Sequence, residues 1–240
     1  MKAIAILEKT LGRNHPDTAT TYSNIAVAHQ HQGDDVQAVK WHLKAMVSQE
    51  KALGAEHQDT AVTYGSIAGI YSRLGNYDQA VEWYTKALTA GENASGKERL
   101  PTAATCNSIA MVYYRQGEYK QSLEWYNKAL AIREQELGPE HPDTAVICNN
   151  IAGVYNDLGD YDQALEWFSK ALAILEKKPG INHPITAITC NNIALLYSRR
   201  GMHNQAMEWY QKALKVFERE YGANHHYTKN VLENMKNIFN

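Results

Sequence analysis

The 240-residue chain is poor in the features that mark secreted, membrane-spanning or catalytic proteins. It has three cysteines, Cys106, Cys148 and Cys190, and no CxxC pair, so neither dithiol redox chemistry nor structural zinc is supported. No apolar run approaches the roughly 18 residues needed to cross a bilayer. The opening Met1-Lys2-Ala3-Ile4-Ala5-Ile6-Leu7-Glu8 holds too short an apolar stretch for a secretory signal. A formal net charge of −2 leaves no global basic field to draw nucleic acid or an anionic membrane. No nucleophile–base pairing, phosphate loop or carboxylate dyad emerges, so no catalytic, metal or cofactor site is expected. What remains, 44% hydrophobic and 21% charged residues, is ordinary for a folded protein, and an intracellular, cytoplasmic helical chain is the expectation.

The sequence repeats. Trp41, Trp83, Trp125, Trp167 and Trp209 stand 42 residues apart each time, and the same interval links Gly33, Gly75, Gly117, Gly159 and Gly201. It also links Gly12, Gly54, Gly96, Gly138, Gly180 and Gly222, and Thr18, Thr60, Thr102, Thr144, Thr186 and Thr228. Chance does not produce four columns in one register. The chain is an array of 42-residue units without insertion or deletion.

Each unit divides into two helical stretches. In the fourth, His141-Pro142-Asp143-Thr144 opens a stretch with apolar Ile147, Ile151, Val154, Tyr155 and Leu158 at helical spacing. Gly159 stands where a helix end wants positive φ. Asp160 then caps a second helix from about Tyr161 to Leu175, with Gln163 completing a capping box. Pro16, Pro142 and Pro184 fit the first turn of a first helix, where the missing N–H costs nothing. Small residues mark close helix approach: Ala26, Ala68, Ala110, Ala152 and Ala194 in first helices, and Ala38, Ala80, Ala164 and Ala206 in second helices, with Ser122 in the remaining slot. Tyr84, Tyr126, Phe168 and Tyr210 supply large rings against them.

The alanine columns, the glycine turn, "YDQA" and "KAL" resemble the tetratricopeptide repeat family. "HPDTA", "NNIA" and "KALAI" are similar to the 42-residue version found in kinesin light chains. The resemblance implies an all-α fold, a right-handed α-solenoid superhelix of antiparallel helical hairpins with about twelve helices. It places an unpaired second helix at 1–13, full repeats at 14–55, 56–97, 98–139, 140–181 and 182–223, and a C-terminal capping helix at 224–240. Lys236 replaces the column alanine in that last helix, as a polar outer face requires. The first half-unit has no such cap. A neighbour covering this end, or a natural start upstream of Met1, is the expectation.

The resemblance also implies that first helices line a concave groove that holds a protein or peptide. Its candidate binding residues are Asn24, Arg73, Asn107, Tyr114, Arg115, Asn149, Asn150, Asn191, Asn192 and Arg199. Asparagine is a poor helix former, so the Asn149/Asn150 and Asn191/Asn192 ladders need a reason. Either the amides grip an extended peptide backbone, as the matching asparagines of kinesin light chains do, or one of each pair bonds the adjacent repeat. The carboxylate clamp of chaperone-binding relatives is absent. Arg73, Arg115 and Arg199 share a column that Asp157 interrupts; they are either partners for acidic ligand side chains or solvated. Gly69 and Gly153 leave room on the groove wall.

The other columns read as scaffold. The invariant tryptophans are core packing. Glu82/Lys86, Glu124/Lys128, Glu166/Lys170 and Glu208/Lys212 are i,i+4 pairs on a solvated face. The cysteines, held beyond the ~7 Å disulfide reach by the repeat, are small core residues. His15, His57, His141, His183 and His225, one per unit, cannot converge on a metal. The function expected is a non-enzymatic scaffold that binds a protein or peptide, with acidic side chains as candidates for the arginines. The rival readings are a self-assembling array joined through the uncapped N-terminal end and the sensor region of a larger signalling protein.

Overall fold

Helix after helix begins and ends where the repeat places its caps. The computed structural model describes residues 2–95 and 99–238. In chain order the helices are α1 (Lys2–Thr10), α2 (Pro16–His31), α3 (Asp35–Ala52), α4 (Gln58–Arg73), α5 (Tyr77–Ser95), α6 (Leu100–Gln116), α7 (Tyr119–Leu137), α8 (Pro142–Leu158), α9 (Tyr161–Leu175), α10 (Pro184–Arg199), α11 (His203–Tyr221) and α12 (His226–Asn237). A π-helical turn, Glu176–Gly180, extends α9. Among the described residues there are twelve α-helices and no strand, so the fold is an all-α repeat.

Two compact units divide inside α7, Met1–Ala129 and Leu130–Asn240. In the first, α2 pairs with α3 and α4 with α5, while α3 packs on α4 and α5 on α6. In the second, α8 pairs with α9 and α10 with α11, and α9 packs on α10 and α11 on α12. The close approach inside each hairpin runs through the alanine columns. Ala26, Ala38, Ala68, Ala80, Ala152, Ala164, Ala194 and Ala206 are all completely buried. Ser122 fits the same slot because its hydroxyl donates to the Ala110 carbonyl at 2.9 Å, which satisfies the group its burial would otherwise strand.

The threonine and glycine columns meet at the joint between units. Five threonine hydroxyls of the column donate to the glycine carbonyl six residues earlier: Thr18 to Gly12, Thr60 to Gly54 and Thr144 to Gly138 at 2.9 Å, and Thr186 to Gly180 and Thr228 to Gly222 at 2.8 Å. All five threonines are fully buried. Gly96, the partner in register with Thr102, lies outside the described residues. The histidine column has a role that its spacing alone did not disclose. Nδ1 of His15, His57, His141, His183 and His225 accepts the backbone N–H two residues on, at 3.1–3.4 Å, and so caps α2, α4, α8, α10 and α12. Helix α6 starts instead on Arg99, which makes no side-chain cap. Capping of the second helices is half of the expected box: Asp34 and Asp160 accept from the N–H of Gln37 and Gln163 at 3.1 and 3.2 Å, but the Gln163 amide turns to Glu166.

On the second helices Trp41, Trp83, Trp167 and Trp209 pack against the buried clusters, at their edge. The tryptophans are half-buried, and Lys44, Lys86, Lys128, Lys170 and Lys212 stand over their rings at 3.8–5.1 Å. Of the four expected Glu/Lys pairs, Glu82–Lys86 closes at 2.8 Å, whereas Lys170 reaches Glu134 of the preceding second helix at 3.1 Å. Glutamates 8, 50, 92, 134, 176 and 218 form a further unbroken column. Tyr22 and Tyr64 donate to Glu8 and Glu50 at 2.6 Å. Burial, then the bond to Glu8, pushes the Tyr22 hydroxyl up to about 12. The three cysteines are free and buried, and burial pushes each thiol up to about 11, away from reactivity.

His42 breaks the pattern of its column, whose other members are Tyr84, Tyr126, Phe168 and Tyr210. It is 2% exposed and neither ring nitrogen has a partner. Burial lowers its pKa from 6.5 to about 4. Between those values the unfolded chain takes up a proton that the folded chain refuses, so stability falls as pH drops through the window. Replacing His42 with Phe should raise stability at neutral pH by about 1–3 kcal/mol, because a buried unsatisfied group is removed. Urea melts at pH 7, 6, 5 and 4 should then show a shallower pH slope than the parent's; equal slopes would contradict the assignment.

Candidate binding faces of the first helices

On α2, α4 and α6 of the first unit, Asn24, Arg73 and Arg115 are exposed and Asn107 and Tyr114 are half-buried. Arg73 is not idle. Its guanidinium forks onto Asp35 at the start of α3, Nη2 to Oδ1 at 2.7 Å and Nε to Oδ2 at 3.3 Å. Arg115 donates to the Ser72 hydroxyl at 3.4 Å. Asn107 is half-buried, with its amide nitrogen 4.0 Å from the Met111 sulfur. The Tyr114 ring lies 5.9 Å from that of Tyr119. Tyr84 of α5, a residue the sequence suggested only as core, comes up beneath this face. Burial raises its pKa, while a hydrogen bond with Ser108 and the charges of Arg73 and Arg115 pull the other way. Gly69 lies against that ring: a Cβ there would stand 3.5 Å from the Tyr84 hydroxyl, an ordinary contact. Asn24 is exposed on α2.

In the second unit the amides come together. Asn192 on α10 donates to Asn149 on α8 across the repeat boundary at 3.4 Å. Asn150 is half-buried beside them. The Asn191 Oδ1 is buried without a partner. Two further asparagines on α12 extend the series: Asn234 stands in the column of Asn24, Asn150 and Asn192, and donates to Asn230 at 3.1 Å. The register carried that signal, which a reading of α12 as a cap passed over. Arg199 donates to Asp157 and to the Asn156 carbonyl. The aspartate that interrupts the arginine column is therefore the partner of the next arginine. Gly153 faces open space, with nothing within 4 Å of a Cβ built there.

Each unit holds one cavity of the same construction, between a first helix, its partner and the next first helix. In the first unit it lies among α4, α5 and α6, about 200 Å³, against Val62, Gly65, Gly91, Ala104 and Thr105. In the second it lies among α10, α11 and α12, about 300 Å³, against Ile188, Asn191, Phe217, Asn230 and Val231. Among the described residues no three His, Cys, Asp or Glu side chains gather as metal ligands would, and no helix is long and apolar enough to cross a membrane.

These hairpins agree with what sequence comparison finds. Models of the tetratricopeptide repeat match residues 1–46, 17–93, 102–143, 145–219 and 191–239. The chain belongs to the tetratricopeptide repeat family. Its repeats are of the kinesin-light-chain kind. A putative kinesin light chain of P. anserina with nearly identical TPR-like repeats shares the fold at a TM-score of 0.71 and 21% identity, over 85% of this chain and 97% of that one. The apo quorum sensor NprR of B. thuringiensis superposes at 0.75 and 18% identity over 99% of this chain and 64% of its own. Aspartyl phosphate phosphatase F of Bacillus subtilis does so at 0.77 and 14% identity, over 98% and 62%. At these identities the likeness is one of fold. No curated protein matches the chain by sequence.

The Arg199–Asp157 pair is half-exposed on the arginine side, so it should matter little to stability. Arg199→Gln and Asp157→Asn, singly and together, should give a coupling of about 0.2–1 kcal/mol in a double-mutant cycle by urea unfolding. A coupling well above about 1 kcal/mol would contradict this reading of the pair as weak.

Proposed function

We propose that this tetratricopeptide repeat protein is a non-enzymatic interaction scaffold that holds an extended peptide or protein segment against its first-helix faces. The observation that carries the reading is the run of asparagines on α8, α10 and α12. Poor helix formers sit in mid-helix, and one of them, Asn191, has a buried acceptor without a partner. A peptide backbone offers the alternating donors and acceptors that such amides lack. The arginines supply a second layer, of which Arg115 is held only by a 3.4 Å hydroxyl bond. Buried, high-pKa thiols suit a reducing compartment, which supports a cytoplasmic setting.

The pair Asn149→Ala and Asn191→Ala separates the binding role from the structural one. Alanine is the better helix former, so the double variant should change stability by no more than about 1 kcal/mol. Capture of a binding peptide, read by fluorescence anisotropy, should weaken at least about tenfold. Binding that survives unchanged would move the site off these helices.

A second reading, self-association through α1, is favoured by Ile6, which is 61% exposed on that helix, with Leu11 at 43% beyond its end. Sedimentation should then show a mass that grows with concentration and that Ile6→Glu returns to the monomer value. A concentration-independent monomer would dismiss this reading and leave the peptide-binding one intact.

A further inference from the structure

The acidic partner that the arginine column suggests is not the one that the cavities fit. The two cavities are the same feature three repeats apart. Val62 corresponds to Ile188, Gly65 to Asn191, Gly91 to Phe217, Ala104 to Asn230 and Thr105 to Val231. Neither lining contains an Asp, Glu, Lys or Arg; His226 at the second is the only titratable group with an imidazole, carboxylate or amine. Charged linings do occur elsewhere in this chain: the cavity of about 500 Å³ beside α1 and α3 is bordered by Glu8, Arg13, Lys44 and Lys51. Neutrality is thus a property of this position in the repeat. Two arginines of the first-helix faces are meanwhile paired with carboxylates, Arg73 with Asp35 and Arg199 with Asp157.

Size points the same way. Small-molecule sites run from about 300 to 1,000 Å³. At about 200 and 300 Å³ these cavities sit at or below the lower end of that range, which suits a single side chain and is too small for a helix. In the first unit, Gly65 and Gly91 leave the walls open, since a Cβ at either meets nothing within 4 Å. In the second, the floor is Phe217 and Val231, each 1% exposed, and the rim carries the amides of Asn191, Asn192 and Asn230.

Resting on the peptide-binding reading above, we infer that each cavity seats one bulky, uncharged side chain, aliphatic or aromatic, of an extended peptide. The first takes it against a mostly apolar wall, with Gln58, Thr102 and Thr105 as its polar members. The second takes it under an amide rim that can also bond the peptide backbone. The partner is therefore a neutral, apolar segment, recognised by shape and amide bonding, and salt should affect its binding little.

A random peptide library displayed on phage, selected on the full chain, supplies the probe. Selected peptides should be rich in Leu, Ile, Phe or Trp and close to neutral. A fluorescein-labelled selected peptide should bind nearly equally at low and high salt. Gly65→Leu fills the first cavity and Asn191→Leu the second; at least one should weaken that peptide by about tenfold or more. Gly65→Leu lies mid-helix in open space, so its thermal melt should be unchanged or raised, which separates lost binding from lost folding. Acidic selected peptides, released by salt and by Arg115→Gln while both cavity variants bind normally, would overturn this inference and leave the peptide-binding reading standing. A library that yields no binder would overturn both.

Discussion

How one hairpin is handed to the next rests on a buried hydroxyl. At each described joint a fully buried threonine donates to the glycine carbonyl six residues earlier. A histidine between them turns Nδ1 onto the first free N–H groups of the following helix. The glycine must stand at positive φ for its carbonyl to point back, as Gly138 does at 93°. A buried carbonyl without that bond would cost about 1–3 kcal/mol, so the column does not drift. Because the joint recurs at five of the repeat boundaries, residues 42 apart take equivalent places within each unit, and a binding face can be built from columns.

Much of this was legible in the sequence. Glycine, threonine, alanine and tryptophan spacing gave twelve helices in the right order, because such residues are tied to backbone geometry and close approach. What stayed hidden were side-chain directions. The histidines looked like a turn feature without chemistry, since a Nδ1 cap depends on rotamer and tautomer. Lys170 could reach Glu166 on its own helix or Glu134 on another, and spacing cannot choose between a local pair and a cross-helix one. Ser122 in an alanine slot was visible as an exception, but only the 2.9 Å bond to Ala110 explains it.

The first-helix faces show the same division. The asparagine ladder was found by register: Asn192 bonds Asn149 across the repeat, while Asn191 keeps a buried acceptor without a partner. The arginine column suggested an acidic ligand. Its own interruption, Asp157, instead supplies Arg199 with a partner, and Asp35 does so for Arg73. Half-exposed pairs of this kind are weak, yet they lower the free positive charge of the face. Among the described residues Arg115 keeps only the Ser72 hydroxyl as a bonding partner, and we propose the uncharged cavities and the amides as the main recognition elements.

The central claim is that partners are held on first helices, not second ones. Placing a photo-reactive phenylalanine analogue in turn at Ser66 and Asn192 on first helices, and at Thr85 and Ser169 on the exposed sides of second helices, tests it directly. The account predicts cross-links to a bound peptide from Ser66 or Asn192 and none from Thr85 or Ser169. Cross-links confined to Thr85 or Ser169 would contradict it.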